Sequence, residues 1–178
     1  SSDVCSSDLV SRNFSASRSV NIRGAGKYAT FLKKTGATTT PILNWSADTS
    51  VLSTYADFRD FSIVGKAKAH PGIRLTQCAR FDMKNVDIGA CDVAIDNLGS
   101  LVFTTHNITV HDNNVGYKCR RSSPGNISCN LVSFYDSQFV VNGIFALDLD
   151  VASQVNLIGC DLEQNGTAST PATGAIII

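Results

Sequence analysis

The sequence predicts an all-β chain wound as a right-handed parallel β-helix, and three observations carry that prediction. Short apolar strands recur with steps of 22 to 26 residues, each period holds at least two of them, and no helical pattern of ten or more residues lies between them. Composition agrees. Only 17% of the residues are charged, Ser, Thr, Asn and Gly abound, and long segments rich in Glu, Lys, Ala and Leu are missing, which suits strands joined by many turns.

The elements follow in order. The first nine residues, "SSDVCSSDL", have no hydrophobic period and resemble the translated end of a sequencing adapter. Residues 1–9 are therefore set aside as a non-native head, leaving 10–178 as one partial β-helix domain, truncated at both ends, that breaks off in "TGAIII". "SVNIR" is the first legible strand, and "RGAGK" follows it. The glycine pair invites comparison with a phosphate-binding loop, but the spacing fails: Asn21 stands where that loop needs its first glycine and Tyr28 replaces the hydroxyl residue. Gly24 and Gly26 are instead expected to turn a corner through glycine-only φ values, with Lys27 in a solvated turn.

Beyond them runs a first series: "FRDFSIVG" (58–65), "FDMKNVDIG" (81–89), "HNITVHDN" (106–113), "NLVSFYDS" (130–137) and "VNLIGCDLEQNG" (155–166). Taking Phe61, Val86, Ile108, Leu131 and Leu157 as equivalent gives steps of 25, 22, 23 and 26. A second series interleaves with it: "GIRLT", "VAIDN", "GYKCR", "FALDLDV" and "GAIII". Ile73, Ile95 and Tyr117 step by 22 and 22, and the next step, to Leu147, is 30, so one turn carries an insertion. Helical crossovers are absent and Asn-Gly hairpin signals are scarce, so wound α/β units and a sandwich are both disfavoured. One period is one turn of a coil, stacked at about 4.8 Å on the next. Asn85, Asn107, Asn130 and Asn156, near strand ends, are expected to stack at a bend.

"VNIRGAG", "TFLKKTG", "PIL" and "FRDFSIVG" together resemble the pectate-lyase-like superfamily, in the branch shared by rhamnogalacturonase/epimerase-like pectate lyase domains and phage tailspikes. The resemblance spans about residues 18–178, and its motifs mark turns rather than chemistry. It implies an extracellular or virion-surface setting, a polysaccharide partner and a homotrimer, with Ca2+ as the one cofactor such proteins suggest. The Asn-Thr-Asp, Asp-Asp and Gly-His-Gly motifs of polygalacturonase-type relatives do not occur here.

Chemistry is sought on the outer faces. Alternation places Phe145, Leu147, Leu149 and Val151 inward and Ala146, Asp148 and Asp150 outward, and two residues along a strand set the two acids roughly 6.5–7 Å apart at their Cα atoms, within the range of acid–base pairs on glycosidic bonds. Asp148 and Asp150 are the catalytic candidates, with Glu163 a further one. Arg74, Asp96, Lys118 and Arg120 fall in adjacent rows and are the substrate-binding candidates, the cations suited to a uronate. The same pattern also reads as a ladder of opposite charges between strands. His111-Asp112 is a lesser acid–base candidate, and His70 reads as loop. No metal-ligand spacing occurs, and Cys78, Cys91, Cys119, Cys129 and Cys160 read as small buried hydrophobes, a disulfide framework being the weaker alternative.

Fifteen Lys and Arg balance fifteen Asp and Glu, so no global field attracts nucleic acid, and no apolar run approaches the roughly 20 residues that cross a bilayer. Five sequons, at Asn13, Asn44, Asn107, Asn126 and Asn165, arise readily in so Asn-, Ser- and Thr-rich a chain. Two functional readings stand. One is a carbohydrate-active β-helix that binds and cleaves an extracellular polysaccharide, as lyase or glycoside hydrolase. The other is a non-catalytic stalk, receptor-binding or adhesin module.

Overall fold

The structure, a computed structural model, describes residues 13–15, 20–35, 39–46, 55–123, 126–166 and 174–177, so the head at residues 1–9 lies outside the described residues. The chain runs through β1 (Asn13–Ser15), β2 (Val20–Arg23), β3 (Phe31–Lys33), β4 (Leu43–Ser46) and the long β5 (Tyr55–Val64). Next come β6 (Ile73–Thr76), the equally long β7 (Arg80–Gly89), β8 (Val93–Leu98), β9 (Val102–His106), β10 (Thr109–His111) and β11 (Val115–Arg120). The last turns hold β12 (Leu131–Tyr135), β13 (Gln138–Val140), β14 (Phe145–Asp148), β15 (Gln154–Ile158), β16 (Asp161–Glu163) and β17 (Gly174–Ile177). Every strand pairs in parallel with its counterpart one turn away. Among the described residues no α-helix occurs. The fold is a parallel β-solenoid matching a parallel β-helix.

Three walls enclose one core. β1, β4, β6, β8, β11, β14 and β17 stack in that order as the first wall. The second wall comprises β2, the first half of β5, the first half of β7, β9, β12 and β15, and the third comprises β3, the second halves of β5 and β7, β10, β13 and β16. The bend between the second and third walls falls at one residue per turn: Asp60, Asn85, Asn107, Asp136 and Gly159, with φ of 62°, 52°, 51°, 48° and 65°. Only Gly tolerates this left-handed region freely, and Asn and Asp tolerate it better than other residues, which accounts for their selection. Asn107 Nδ2 donates to Asn85 Oδ1 at 2.8 Å, and Asn85 Nδ2 donates to Asp60 Oδ1 at 2.9 Å, tying three rungs of the bend together.

The predicted ladder therefore holds for Asn85 and Asn107 but not for the other two. Asn130 is exposed in the turn before β12, and Asn156 lies on the outside of β15, donating to Ser133 Oγ at 3.0 Å. A second and deeper ladder occupies the corner between the third wall and the first. Asn113 Nδ2 donates to Asn142 Oδ1 at 3.0 Å, and Asn142 Nδ2 donates to Asn165 Oδ1 at 2.8 Å. Each Oδ1 also accepts the backbone N–H of the equivalent residue one turn earlier: Cys91 to Asn113 at 2.9 Å, Asn113 to Asn142 at 3.3 Å, and Asn142 to Asn165 at 3.1 Å. At a corner the strand ladder cannot continue, so these side chains satisfy N–H groups that would otherwise be buried without partners.

The second series is confirmed in register: Ile73, Ile95, Tyr117, Leu147 and Ile176 face one another in sequence. The first series slips after Ile108. Leu131 pairs with Val102, not with Ile108, and Leu157 pairs with Phe134. Ten residues (121–130) join β11 to β12 where three (99–101) join β8 to β9, and this extra length shifted the apparent period.

The core is built from rows. Phe81 and Phe103 are register partners on the second wall and stack at 5.4 Å with planes 5° apart. Phe58, Phe134, Phe139 and Tyr117 extend the cluster by edge and tilted contacts of 4.9 to 5.7 Å. Each fully buried ring contributes about 1.5–3 kcal/mol through area removed from water. Cys78, Cys91, Cys119 and Cys129 are buried and Cys160 is partly buried, all as free thiols. One facing differs from expectation: Ala146 is buried while Phe145 is partly exposed. On the preceding rung a Cβ at Gly116 would meet the core rings and branches of Phe139 and Val110, so the wall rolls inward as it leaves the corner.

Candidate functional site

The outer face of the first wall gathers five of the predicted residues. Arg74, Asp96, Lys118 and Asp148 are register partners on successive rungs of β6, β8, β11 and β14, and Arg120 lies one alternation farther along β11. Asp96 is the hub. Arg74 Nε donates to Asp96 Oδ2 at 2.9 Å, and Arg120 Nη2 donates to both Asp96 oxygens at 2.6 and 2.8 Å. The two guanidinium side chains, 35% and 41% exposed, cover a carboxylate that keeps only 1% exposure. Lys118 Nζ meets Asp148 Oδ2 at 2.7 Å.

Asp150 lies two residues beyond, past the end of β14, and is exposed. It takes part in none of the ion pairs or side-chain hydrogen bonds found among the described residues. Glu163 is exposed too, but it sits on β16 in the third wall, opposite Val140, so the coil does not bring it to Asp148 and Asp150. The arrangement is a charged ladder with cations at both edges of Asp96. The exposed sides of Arg74 and Arg120 can take a ligand anion while both remain on Asp96, since guanidinium presents more than one planar pair of donors.

Two further polar constellations lie on the other walls, and of their members only His111-Asp112 was a candidate from the sequence. On the second wall Asp57 and Asp82 face each other across one rung. Like charges so placed repel, and each is countered: Arg59 Nε approaches Asp57 at 2.6 Å, Arg80 Nε approaches Asp82 at 3.3 Å, and the Tyr55 hydroxyl donates to Asp82 at 2.8 Å. That bond to a carboxylate holds the Tyr55 phenol above its usual pKa. On the same wall His106 and Tyr135 stack at 4.8 Å with planes 10° apart. The Asp57–Asp82 pair was within reach of the sequence, because the 25-residue step that aligns Phe61 with Val86 also aligns these two.

The third wall holds the other. The 24–30 loop folds over it and is pinned by backbone bonds from Gly24 N–H to Arg59 O and from Gly26 N–H to Asp60 O. Gly24 is required by close approach, not by its φ: a Cβ there would lie 2.1 Å from the Asp60 carbonyl oxygen. Lys27 does not sit in a solvated turn. Its Nζ reaches across two strands to donate to Thr109 Oγ1 at 2.6 Å, and its carbonyl accepts the Ser62 hydroxyl. Burial lowers the pKa of the Lys27 ammonium, with the charge of Asp87 opposing. His111 lies over Gly89, where a Cβ would stand 2.7 Å from its ring. Its two nitrogens face Asp87 at 3.4 Å and Asp112 at 3.0 Å, and the hydrogen bond to Asp87 leads in raising its pKa to about 9. His70, expected in a loop, is a buried turn residue whose Nε2 accepts the Lys66 N–H at 3.1 Å; burial lowers its pKa.

No protein-family model matches the chain, and no significant match occurs among curated proteins or solved structures. Among the described residues no group of three His, Cys, Asp or Glu is placed to hold a metal ion, and no helix is long and apolar enough to cross a membrane.

Proposed function

We propose that this solenoid binds an extracellular polysaccharide along the outer face of its first wall, as pectate-lyase-like and tailspike β-helices that the sequence resembles would imply. The observation that carries the reading is the ladder of Arg74, Asp96, Lys118 and Asp148 on four successive rungs, with Arg120 beside it. A solenoid repeats its rung at about 4.8 Å, so the wall offers a polymer charge and hydrogen-bonding groups at regular intervals. Acidic glycans suit it best, because a uronate can reach the exposed sides of Arg74, Lys118 and Arg120 while the buried Asp96 keeps its arginines, so that no charge is left desolvated and unpaired.

Binding is favoured over cleavage by the state of the carboxylates. Glycosidic hydrolysis needs two carboxyl groups in different roles. Asp148 is committed to Lys118 and Asp96 to two arginines, which leaves Asp150 as the uncommitted acid of this face. The non-catalytic alternative, a receptor-binding or adhesin module, rests on that same commitment.

The test is a panel of acidic and neutral polysaccharides incubated with the protein, read by binding, by new reducing ends and by absorbance of unsaturated uronates. Retention on acidic polymers that weakens at high salt and with Lys118→Ala supports the proposal. Reducing ends or unsaturated products would add hydrolase or lyase activity. No retention on any polymer would overturn it. Retention indifferent to Lys118→Ala would move the site to another wall.

A further inference from the structure

The second wall carries a line of side chains that the first-wall site does not use. Arg23, Arg59, Lys84, His106, Tyr135 and Ile158 are register partners on β2, β5, β7, β9, β12 and β15. The residues that alternate with them, among them Phe58, Met83, Thr105 and Phe134, are buried, so the line runs along the outer face. At about 4.8 Å per rung, the stretch from Arg23 to Tyr135 spans about 19 Å parallel to the coil axis. Three cations come first, and the stacked rings of His106 and Tyr135 follow, 4.8 Å apart.

The charges of this wall are layered. Arg23, Arg59 and Arg80 keep 78%, 43% and 61% of their side chains exposed, while the carboxylates they pair with, Asp60, Asp57 and Asp82, keep 21%, 17% and 18%. Each acid lies beneath its arginine, and the guanidinium donors not spent on it face water. Lys84 is exposed and, among the described residues, takes part in none of the ion pairs or side-chain hydrogen bonds. Four cations thus stand over three carboxylates, and the unmatched one is Lys84. Asp136, at the bend beside Tyr135, is an exposed acid at the far end of the strip.

We propose that this strip binds a sulfated polysaccharide laid along the coil axis. It lies on a different wall from the ladder around Asp96 and does not rest on that site. A sulfate ester presents three oxygens in a tetrahedral array, so one group can accept from Arg59 and Lys84 on adjacent rungs together, whereas a carboxylate offers two oxygens in one plane. It adds to exposed donors without evicting Asp57 or Asp60, so no covered carboxylate loses its partner. Beyond the cations, the Tyr135 hydroxyl, the His106 nitrogens, and Thr104 and Asn156 in the neighbouring outward row supply hydrogen-bonding groups for sugar hydroxyls. A single-stranded nucleic acid fits less well. It needs open ring faces for successive bases, and here each ring covers one face of the other, and the flanking rungs carry Lys84 and Ile158 in place of a third ring.

Dextran sulfate, unsulfated dextran, polygalacturonate and an oligodeoxythymidylate, the charged polymers matched in charge number, are titrated into the protein at low salt and followed by calorimetry. Dextran sulfate is expected to bind most tightly and unsulfated dextran not at all. Lys84→Ala removes one charge-assisted hydrogen bond and should weaken dextran sulfate binding about tenfold, at an unchanged melting temperature because Lys84 is exposed. Lys84→Arg should restore the affinity, and Lys118→Ala should leave it as it is. No binding of dextran sulfate, tighter binding of polygalacturonate or of the oligonucleotide, or a dependence on Lys118 without one on Lys84 would each overturn the assignment. The first-wall ladder is read separately, by polygalacturonate and Lys118→Ala, so either site can fail without the other.

Discussion

Asn142 is the middle rung of the buried corner ladder, and replacing it with alanine isolates what that ladder contributes. The side chain is fully buried. Its Oδ1 accepts the Asn113 N–H at 3.3 Å and Asn113 Nδ2 at 3.0 Å, while its Nδ2 donates to Val110 O at 3.2 Å and Asn165 Oδ1 at 2.8 Å. Most partners keep a second bond after the change: Asn113 Nδ2 still reaches Ile88 O and His111 O, and Asn165 Oδ1 still accepts the Asn142 N–H. The Asn113 N–H does not. One orphaned buried donor costs about 1–3 kcal/mol and the vacated amide volume about one more, so Asn142→Ala should lose roughly 2–4 kcal/mol. Urea unfolding should show a lower midpoint at unchanged slope, and the melting temperature should fall by roughly 5–15 °C. Asn165→Ala orphans the Asn142 N–H at a partly exposed rung that water can reach, and should cost less. A loss within about 0.5 kcal/mol of zero for Asn142→Ala would refute the corner-satisfaction account, as surface substitutions routinely fall there.

Four shorter predictions complete the set. Gly24→Ala forces a methyl group to 2.1 Å from the Asp60 carbonyl oxygen and should cost more than about 2 kcal/mol, whereas Gly143→Ala, with nothing nearer than 3.6 Å, should be close to neutral in the same melts. Val141 is β-branched, largely exposed and held at φ 56°, so Val141→Asn should raise stability by about 1 kcal/mol. Arg120→Ala strands the covered Asp96 carboxylate with Arg74 alone and should cost more than Asp96→Asn, whose freed guanidiniums reach water; equal losses would argue against Asp96 as the hub. His111 has its pKa raised from about 6.5 unfolded to about 9 folded, facing Asp87, Asp112 and, beside Asp87, Lys27. Its stabilisation is complete below about pH 6.5 and is lost as pH rises toward and through 9. The difference in stability between the parent and His111→Gln should shrink across that window; a difference flat with pH would refute the clamp.

Fold and site differed in how far the residues disclosed them. The walls were legible because inward positions are apolar and recur at nearly constant spacing, so Ile73, Ile95, Tyr117 and Leu147 align even across a 30-residue step. Asn85 and Asn107 were legible because a left-handed bend selects few residue types. Asp60, Asp136 and Gly159 occupy the same bend with other letters, which hid the column. The Asn113–Asn142–Asn165 ladder was hidden differently: each follows a left-handed residue, but these are Asp112, Val141 and Gln164, which share no motif. Of the charged face, the rows of Arg74, Asp96, Lys118 and Asp148 followed from alternation, but the covering of Asp96 by two arginines depends on side-chain reach that no spacing encodes. Lys27 is the extreme case, since its partner Thr109 lies 82 residues away.

The unequal corners separate two quantities that most folds couple. Between β8 and β9 the chain spends three residues, between β11 and β12 it spends ten, and Leu131 still lands opposite Val102. Segment length at that corner and registration along the walls are therefore independent variables. The bends and asparagine ladders hold the cross-section constant, so variation can accumulate at the rim next to the Arg120 end of the charged face while every rung beneath remains interchangeable. Such a coil diversifies by exchanging its rim segments rather than by rebuilding its walls.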